Sequence, residues 1–377
     1  MKRLLSIDAI RAIAILTITP LHAVLMFNTN GEDLQFTWNP IDTAPLFFFF
    51  ISGMCLALSV ERRRKDKNLK ALFPHYLYRY GGYILLSISI SLIVTLIDSI
   101  FMDLGDLGKF FGVEAIHFWV EPIRGIGLAC LLSLPIVYYL PWRKLLNLFL
   151  ILFPLTSIIL YNIHDVYLFG YLTPIFITGM YSLLKTVPTI LLGAGMGKLI
   201  LKNLHQESLV SSLSRKLIIT GIGILMLAYL IYFFTFYLLN VNITLSLILL
   251  KVGGPYYTST IFNLGGFIFI FGLFEWLRLK GYRFRPLTFV GQIGIQIFYV
   301  HIPLLILLRS IIDPAMLTDS SYLIVVTLPT FLMYIFAYFY VKYDVNTRGK
   351  ELLKYWLFFV KVNSKKKGKF IREGSND

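Results

Sequence analysis

The chain has 377 residues, of which 57% are hydrophobic and only 15% charged, and its mean hydropathy is +0.74. That balance excludes an ordinary soluble domain. The net charge of +15 would point to nucleic acid in a soluble protein. Here the Lys and Arg sit in short links between apolar runs, as in cytoplasmic loops beside anionic lipid, so no nucleic acid partner is expected.

Apolar runs long enough to cross a bilayer, about 17 residues or more, recur along the whole length. The expected fold class is all-α: a polytopic membrane helix bundle, multi-pass in the cell membrane and surrounded by membrane lipid. Positive residues set its orientation. Lys2 and Arg3 place the N-terminus inside, and the first span, residues 6–28, exits outward as a retained helix rather than a removed signal peptide. The loop 29–43 carries Glu32, Asp33 and Asp42 and no Lys or Arg. A second span, 45–60, returns to the basic segment 61–70, and a third, 76–97, leads out to a loop with Asp98, Asp103, Asp106 and Glu114. The fourth and fifth, 122–140 and 145–161, flank Trp142, Arg143 and Lys144 on the inside. A sixth is expected near 187–201, with 166–184 interfacial or re-entrant. The seventh to tenth cover 217–239, 259–277, 287–308 and 322–341, while 240–258 stays open between loop and short span. About ten transmembrane helices result, with both termini cytoplasmic. Residues 1–345 form the transmembrane domain and 346–377 a basic cytoplasmic tail.

The first span carries Asp8, Arg11 and His22 in otherwise apolar sequence, and an ionisable group inside a span marks a functional site by default. Arg11 and His22 are about three turns apart, so they project from one face roughly 16 Å apart along the axis. Pro20 should kink the helix or bind water there. A neutral imidazole in a dry cavity can act as general base, which makes His22 the candidate catalytic residue; the plainer alternative is a histidine bonded to a neighbouring helix. Asp8 and Arg11 can neutralise each other as a helical pair, either anchoring the helix or contacting a cofactor. Arg62, Arg63, Arg64 and Lys65 either fix topology or hold phosphate. Arg79, beside Gly81 and Gly82 where a helix should begin, is the stronger phosphate candidate. Outside, Glu114, His117, Glu121 and Arg124 share one helical face, which either binds a polar acceptor or seals an interfacial helix with salt bridges. His301, near the depth of His22, is expected to hydrogen-bond between helices. Cys55 and Cys130 have no metal-like spacing, and one His with two Glu on a helix matches no strong template, so neither metal nor disulfide is expected.

The pattern Arg3-x4-Asp8-x2-Arg11-x10-His22 resembles the first helix of the transmembrane acyltransferase superfamily, which includes the acyltransferase-3 and heparan-α-glucosaminide N-acetyltransferase-like proteins. FFFISG (48–53), a basic loop and then HYLYRYGG (75–82) resemble its second and third helices. PIRGIGLACLL (122–132) and PTILLGAGMGK (188–198) are similar to segments of the glucosaminide-acetyltransferase-like branch. FVGQIGIQIFYVHIPLL (289–305) resembles the superfamily's late helix, and KYDVNTRGKELLKYW (342–356) its closing basic segment. There are departures. The first cytoplasmic loop lacks the R-x-x-R of acyltransferase-3 proteins, Gln296 stands where Ser is usual, and the tryptophan-rich luminal loop with its own histidine is not matched.

The resemblance implies transfer of an acyl group, acetyl before others, from cytoplasmic acyl-CoA to a hydroxyl or amine of an extracytoplasmic acceptor, a sugar or glycan. It implies His22 as base or brief acyl carrier, with Arg11 as the second catalytic residue. Arg11, Arg64, Arg79 and Asp8 would lie at the acyl-CoA, and Glu121, Arg124, His117 and His301 on the acceptor side. The competing class is a proton-coupled small-molecule transporter or lipid flippase with His22 as proton relay, whose broken spans would fall at Pro20, Pro188 and 253–255. An inert membrane scaffold is the third. A homodimer is compatible with each.

Overall fold

The structure is a computed structural model that describes residues 5–27, 44–101, 113–163, 183–203, 207–241, 255–313, 317 and 319–345. The loop 29–43, the acidic loop after residue 101, the 166–182 stretch, most of 240–254 and the tail 346–377 lie outside the described residues.

Eleven α-helices order the described residues, with no strand among them: α1 (Leu5–Phe27), α2 (Ala44–Arg63), α3 (Leu69–Phe101), α4 (Val113–Tyr139), α5 (Trp142–Ile163), α6 (Leu183–Asn203), α7 (Glu207–Val241), α8 (Pro255–Leu279), α9 (Arg285–Gln292), α10 (Gly294–Ile311) and α11 (Asp319–Lys342). Helix is the form an apolar run must take when no water is present to satisfy its peptide groups. Among the described residues α1, α4, α6, α7, α10 and α11 are long and apolar enough to cross a bilayer. The chain is a membrane protein built wholly of helices in these regions.

The helices lie over the expected spans and overrun them by one to ten residues at an end, except that α1 and α4 stop one residue short, and three differences stand out. First, α1 runs unbroken past Pro20, and α6 past Pro188. Second, α3 starts at Leu69, where the Ala71 amide donates to Asn68 Oδ1 at 2.9 Å, so Arg79 lies well inside the helix rather than at its entrance. Third, the single helix expected over 287–308 is two. Ile293 (φ −113°, ψ 28°) separates α9 from α10. Tertiary contact explains the break. The Gly291 backbone is pressed on the Asp8 carbonyl, where a Cβ would not fit, and the Gly291 carbonyl accepts from Arg11 Nη1 at 3.0 Å.

α1 is the hub, packed against α2, α8, α9, α10 and α11. Between apolar helices in lipid there is little hydrophobic drive, so close approach of small residues holds the bundle. α2 meets α6 backbone to backbone where Gly53 faces Ile190 and Gly193 faces Phe50; α7 and α8 meet likewise at Gly221, Gly265 and Gly272. Polar ties gather several helix ends at one end of the bundle. Ser6 Oγ donates to the buried Glu275 of α8, whose other oxygen accepts from Arg278 Nε at 2.9 Å. Lys198 Nζ of α6, also buried, is 2.8 Å from Glu61 Oε1 of α2 and donates to the Leu140 carbonyl at 2.8 Å. Arg62, Lys65, Arg143 and Lys144 lie at this same basic end.

Candidate active site

On α1, Asp8, Ile15 and His22 recur every seven residues and Arg11 falls between the first two, so one stripe carries all four. On α10, Gly294 and His301 have the same separation and face α1: a Cβ on Gly294 would meet the side chains of Ile15 and Arg11. The stripes bring the two histidines together. His22 Nδ1 and His301 Nε2 are 2.9 Å apart, with ring centroids at 5.1 Å and planes within 16°. Both rings are buried, and their sequence neighbours Ile18, Ala23, Ile302 and Leu305 belong to one apolar cluster that Ile123, Val325 and Val326 complete.

The hydrogen-bond partners assign the tautomers. His301 Nδ1 lies 3.2 Å from the Ile297 carbonyl, which only accepts, so that nitrogen carries a proton. In a neutral ring the Nε2 of His301 is then the lone-pair nitrogen, and His22 donates its Nδ1–H to it. The lone pair of His22 consequently sits on Nε2. A general base held by a second group that fixes its tautomer is the usual arrangement of a catalytic imidazole.

Below this pair, Arg11 ties three helices. Its Nη1 reaches Asp8 Oδ1 at 3.3 Å and the Gly291 carbonyl at 3.0 Å; its Nη2 donates to Cys55 Sγ of α2 at 3.0 Å. The Asp8–Arg11 pair thus forms, with Asp8 buried and Arg11 partly exposed. On α3, the Arg79 guanidinium lies 5.5 Å from the Tyr80 ring centre and hydrogen-bonds Tyr83.

At the basic end, Arg64 pairs with Glu61 Oε2 at 2.8 Å. Arg63 lies 5.9 Å from the centre of the Tyr76 ring and donates to Ser59 Oγ. Among the described residues no carboxylate pairs with Arg63, Lys67 or Arg79. Their field is felt at exposed His75, just before the expected third span: burial of its ring and then Arg63, Arg79 and Lys67 hold its pKa below the ordinary imidazole value.

The outer face is less complete. Arg124 is half-buried on α4, whereas the side chains of Glu114, His117 and Glu121 are outside the described residues. Gln292 is exposed and Gln296 half-buried. Among the described residues no three His, Cys, Asp or Glu side chains gather as metal ligands would. Sequence reasoning missed Cys55, Glu61, Lys198 and Glu275. The signal for Glu61 and Lys198 was present, one acid in a basic run and one base in a glycine-rich apolar run.

The family profile described as heparan-alpha-glucosaminide N-acetyltransferase, catalytic, matches residues 3–234. No curated protein matches the chain, and no solved structure does.

Proposed function

The chain belongs to the heparan-α-glucosaminide N-acetyltransferase catalytic family, and from that premise we propose that it carries an acetyl group across the cell membrane, from cytoplasmic acetyl-CoA to a hydroxyl or amine of an extracytoplasmic sugar or glycan. The basic end is then cytoplasmic. On this reading α9 and α10 make one crossing and α1–α8 and α11 the other nine, which would put both termini inside.

The observation that carries this reading is the buried His22–His301 contact at 2.9 Å. As the acceptor oxygen or nitrogen attacks the thioester carbonyl of acetyl-CoA, His22 Nε2 takes its proton while Nδ1–H stays hydrogen-bonded to His301; the carbon–sulfur bond then breaks, and the departing coenzyme A thiolate takes that proton from His22 and leaves as the thiol. In the alternative the same lone pair attacks the thioester carbonyl and the carbon–sulfur bond breaks to release the coenzyme A thiolate; the acceptor then displaces His22 from the acetyl carbon, and its proton leaves with the thiolate as coenzyme A thiol. The positive field of Arg63, Lys67 and Arg79 fits the phosphates of the donor, because guanidinium forks match phosphate oxygens and no described carboxylate neutralises them. Arg64 can join by leaving Glu61. Arg124, with His117 and Glu121, is the acceptor-side set. Asp8 neutralises Arg11 within the helix.

A transporter would favour broken helices at Pro20 and Pro188, and both α1 and α6 are continuous there. The break at Ile293 is closed by Arg11 on the Gly291 carbonyl. As a test, purified protein in detergent is assayed for acetyl-CoA turnover with and without a sugar acceptor. Turnover should fall by about 10²- to 10⁴-fold in His22→Ala. Wild-type turnover in that variant would exclude His22, and proton-driven flux without affinity for acetyl-CoA would establish the transporter.

A further inference from the structure

We propose that Arg11 is a positioning residue: by holding the α9–α10 joint against α1 it sets His301 on His22. This rests on the acetyl-transfer reading and assigns a different task to a residue that the sequence places at the donor. The geometry is specific. A helix that stops at Gln292 and restarts at Gly294 releases backbone carbonyls from helical pairing, and Arg11 Nη1 meets the Gly291 carbonyl at 3.0 Å. The same guanidinium reaches Asp8 on its own helix and Cys55 on α2, so three elements share one fork. Gly291 allows the approach, since any Cβ there would collide with the Asp8 carbonyl oxygen.

From this joint α10 rises to the reacting pair. His301 lies two turns beyond Gly294 on the same face of α10, so the height and rotation fixed at the joint fix the ring. Gly291 and His301 are ten residues apart, about 15 Å of helix, and a tilt of about 5° at the joint would move the ring by about 1.3 Å. A displacement of that size at a reacting group can cost about 10²-fold in rate. Direct engagement of donor phosphates would instead have Arg11 turn away from three partners it already holds.

The two roles separate kinetically. Arg11→Met should lower kcat by about 10- to 100-fold and leave the KM for acetyl-CoA within about threefold. The limb of the kcat–pH profile that reports the base should shift with it, because His22 loses its set partner. Arg11→Lys, which keeps one donor for the Gly291 carbonyl, should recover part of kcat. In Gly294→Ala the atoms nearest the new Cβ are side-chain atoms of Ile15 and Arg11 rather than backbone, so a small shift should accommodate it and give a smaller loss of the same kind with the Arg11 guanidinium kept. A raised KM for acetyl-CoA with unchanged kcat in Arg11→Met would overturn the proposal and return Arg11 to the donor site. So would wild-type kcat and pH profile in both Arg11→Met and Gly294→Ala. Absence of acetyl transfer by the wild-type protein would instead remove the functional reading itself. Thermal stabilisation of Arg11→Met by acetyl-CoA, expected to match wild type, reads donor affinity without turnover.

Discussion

Replacing His301 by Phe keeps a flat ring of similar size and removes the acceptor that His22 Nδ1–H uses at 2.9 Å. In the resting protein this leaves a buried donor without that partner, a cost of about 1–3 kcal/mol. The larger effect falls on the reaction. When His22 Nε2 takes a proton the ring becomes an imidazolium, and its hydrogen bond to His301 becomes charge-assisted, stronger by about 1–2 kcal/mol than the neutral bond of the resting pair. Only that excess enters kcat, so at about 1.4 kcal/mol per factor of ten His301→Phe should lower kcat by about 5- to 30-fold. His301→Gln retains an acceptor oxygen and should stay within about threefold of wild type. The assay is acetyl transfer at saturating acetyl-CoA in detergent, with unfolding temperatures recorded in parallel. A kcat for His301→Phe within about threefold of wild type would refute the reasoning, and so would equal damage from Phe and Gln.

Three other outcomes are expected. Gly193→Ala drives a methyl group into the Phe50 carbonyl where α2 crosses α6, and should destabilise by about 1–3 kcal/mol, read as a lowered unfolding temperature in detergent. Lys198→Met leaves Glu61 with Arg64 alone, costing about 3 kcal/mol, and the double variant Lys198→Met/Glu61→Gln should recover most of that stability. His75 is held below its ordinary pKa, so the folded chain binds its proton less readily than the unfolded one, and the His75 contribution to stability declines as pH falls through the imidazole range. Phosphate bound beside Arg63, Lys67 and Arg79 would reverse that field and raise His75. Calorimetry near pH 6.5 with a nucleotide bisphosphate fragment of coenzyme A should therefore show more proton uptake for wild type than for His75→Ala, and equal uptake would count against the site.

Much of α1 is legible in the sequence because a helix has a fixed period. The spacing of Asp8, Arg11 and His22 gives one face directly, and the Asp8–Arg11 pair follows from positions three apart. What lies across that face is not legible in this way. His301 has the right depth, but its approach to His22 depends on the joint at Ile293; Gly291 and Gly294 on either side weaken the helix there without saying that it breaks or against what. The break comes from a partner 280 positions away, since Arg11 and the Asp8 backbone act on Gly291. Arg79 was misplaced for a local reason: basic residues before Tyr76 ended the apolar run, while Asn68 capped the helix two turns earlier. Lys198 reads as a cytoplasmic charge until Glu61 and the Leu140 carbonyl are seen around it. Small residues at 193, 195 and 197 announced close packing, though not against which helix.

The most direct measurement places the protein in sealed vesicles, with radiolabelled acetyl-CoA on the face that bears the basic end and a sugar acceptor only on the other. Labelled acceptor should accumulate with wild-type protein, and the signal should vanish with His22→Ala while that variant still binds acetyl-CoA. Transfer that continues at the wild-type rate without the His22 imidazole, or that requires donor and acceptor on the same face, would contradict the account.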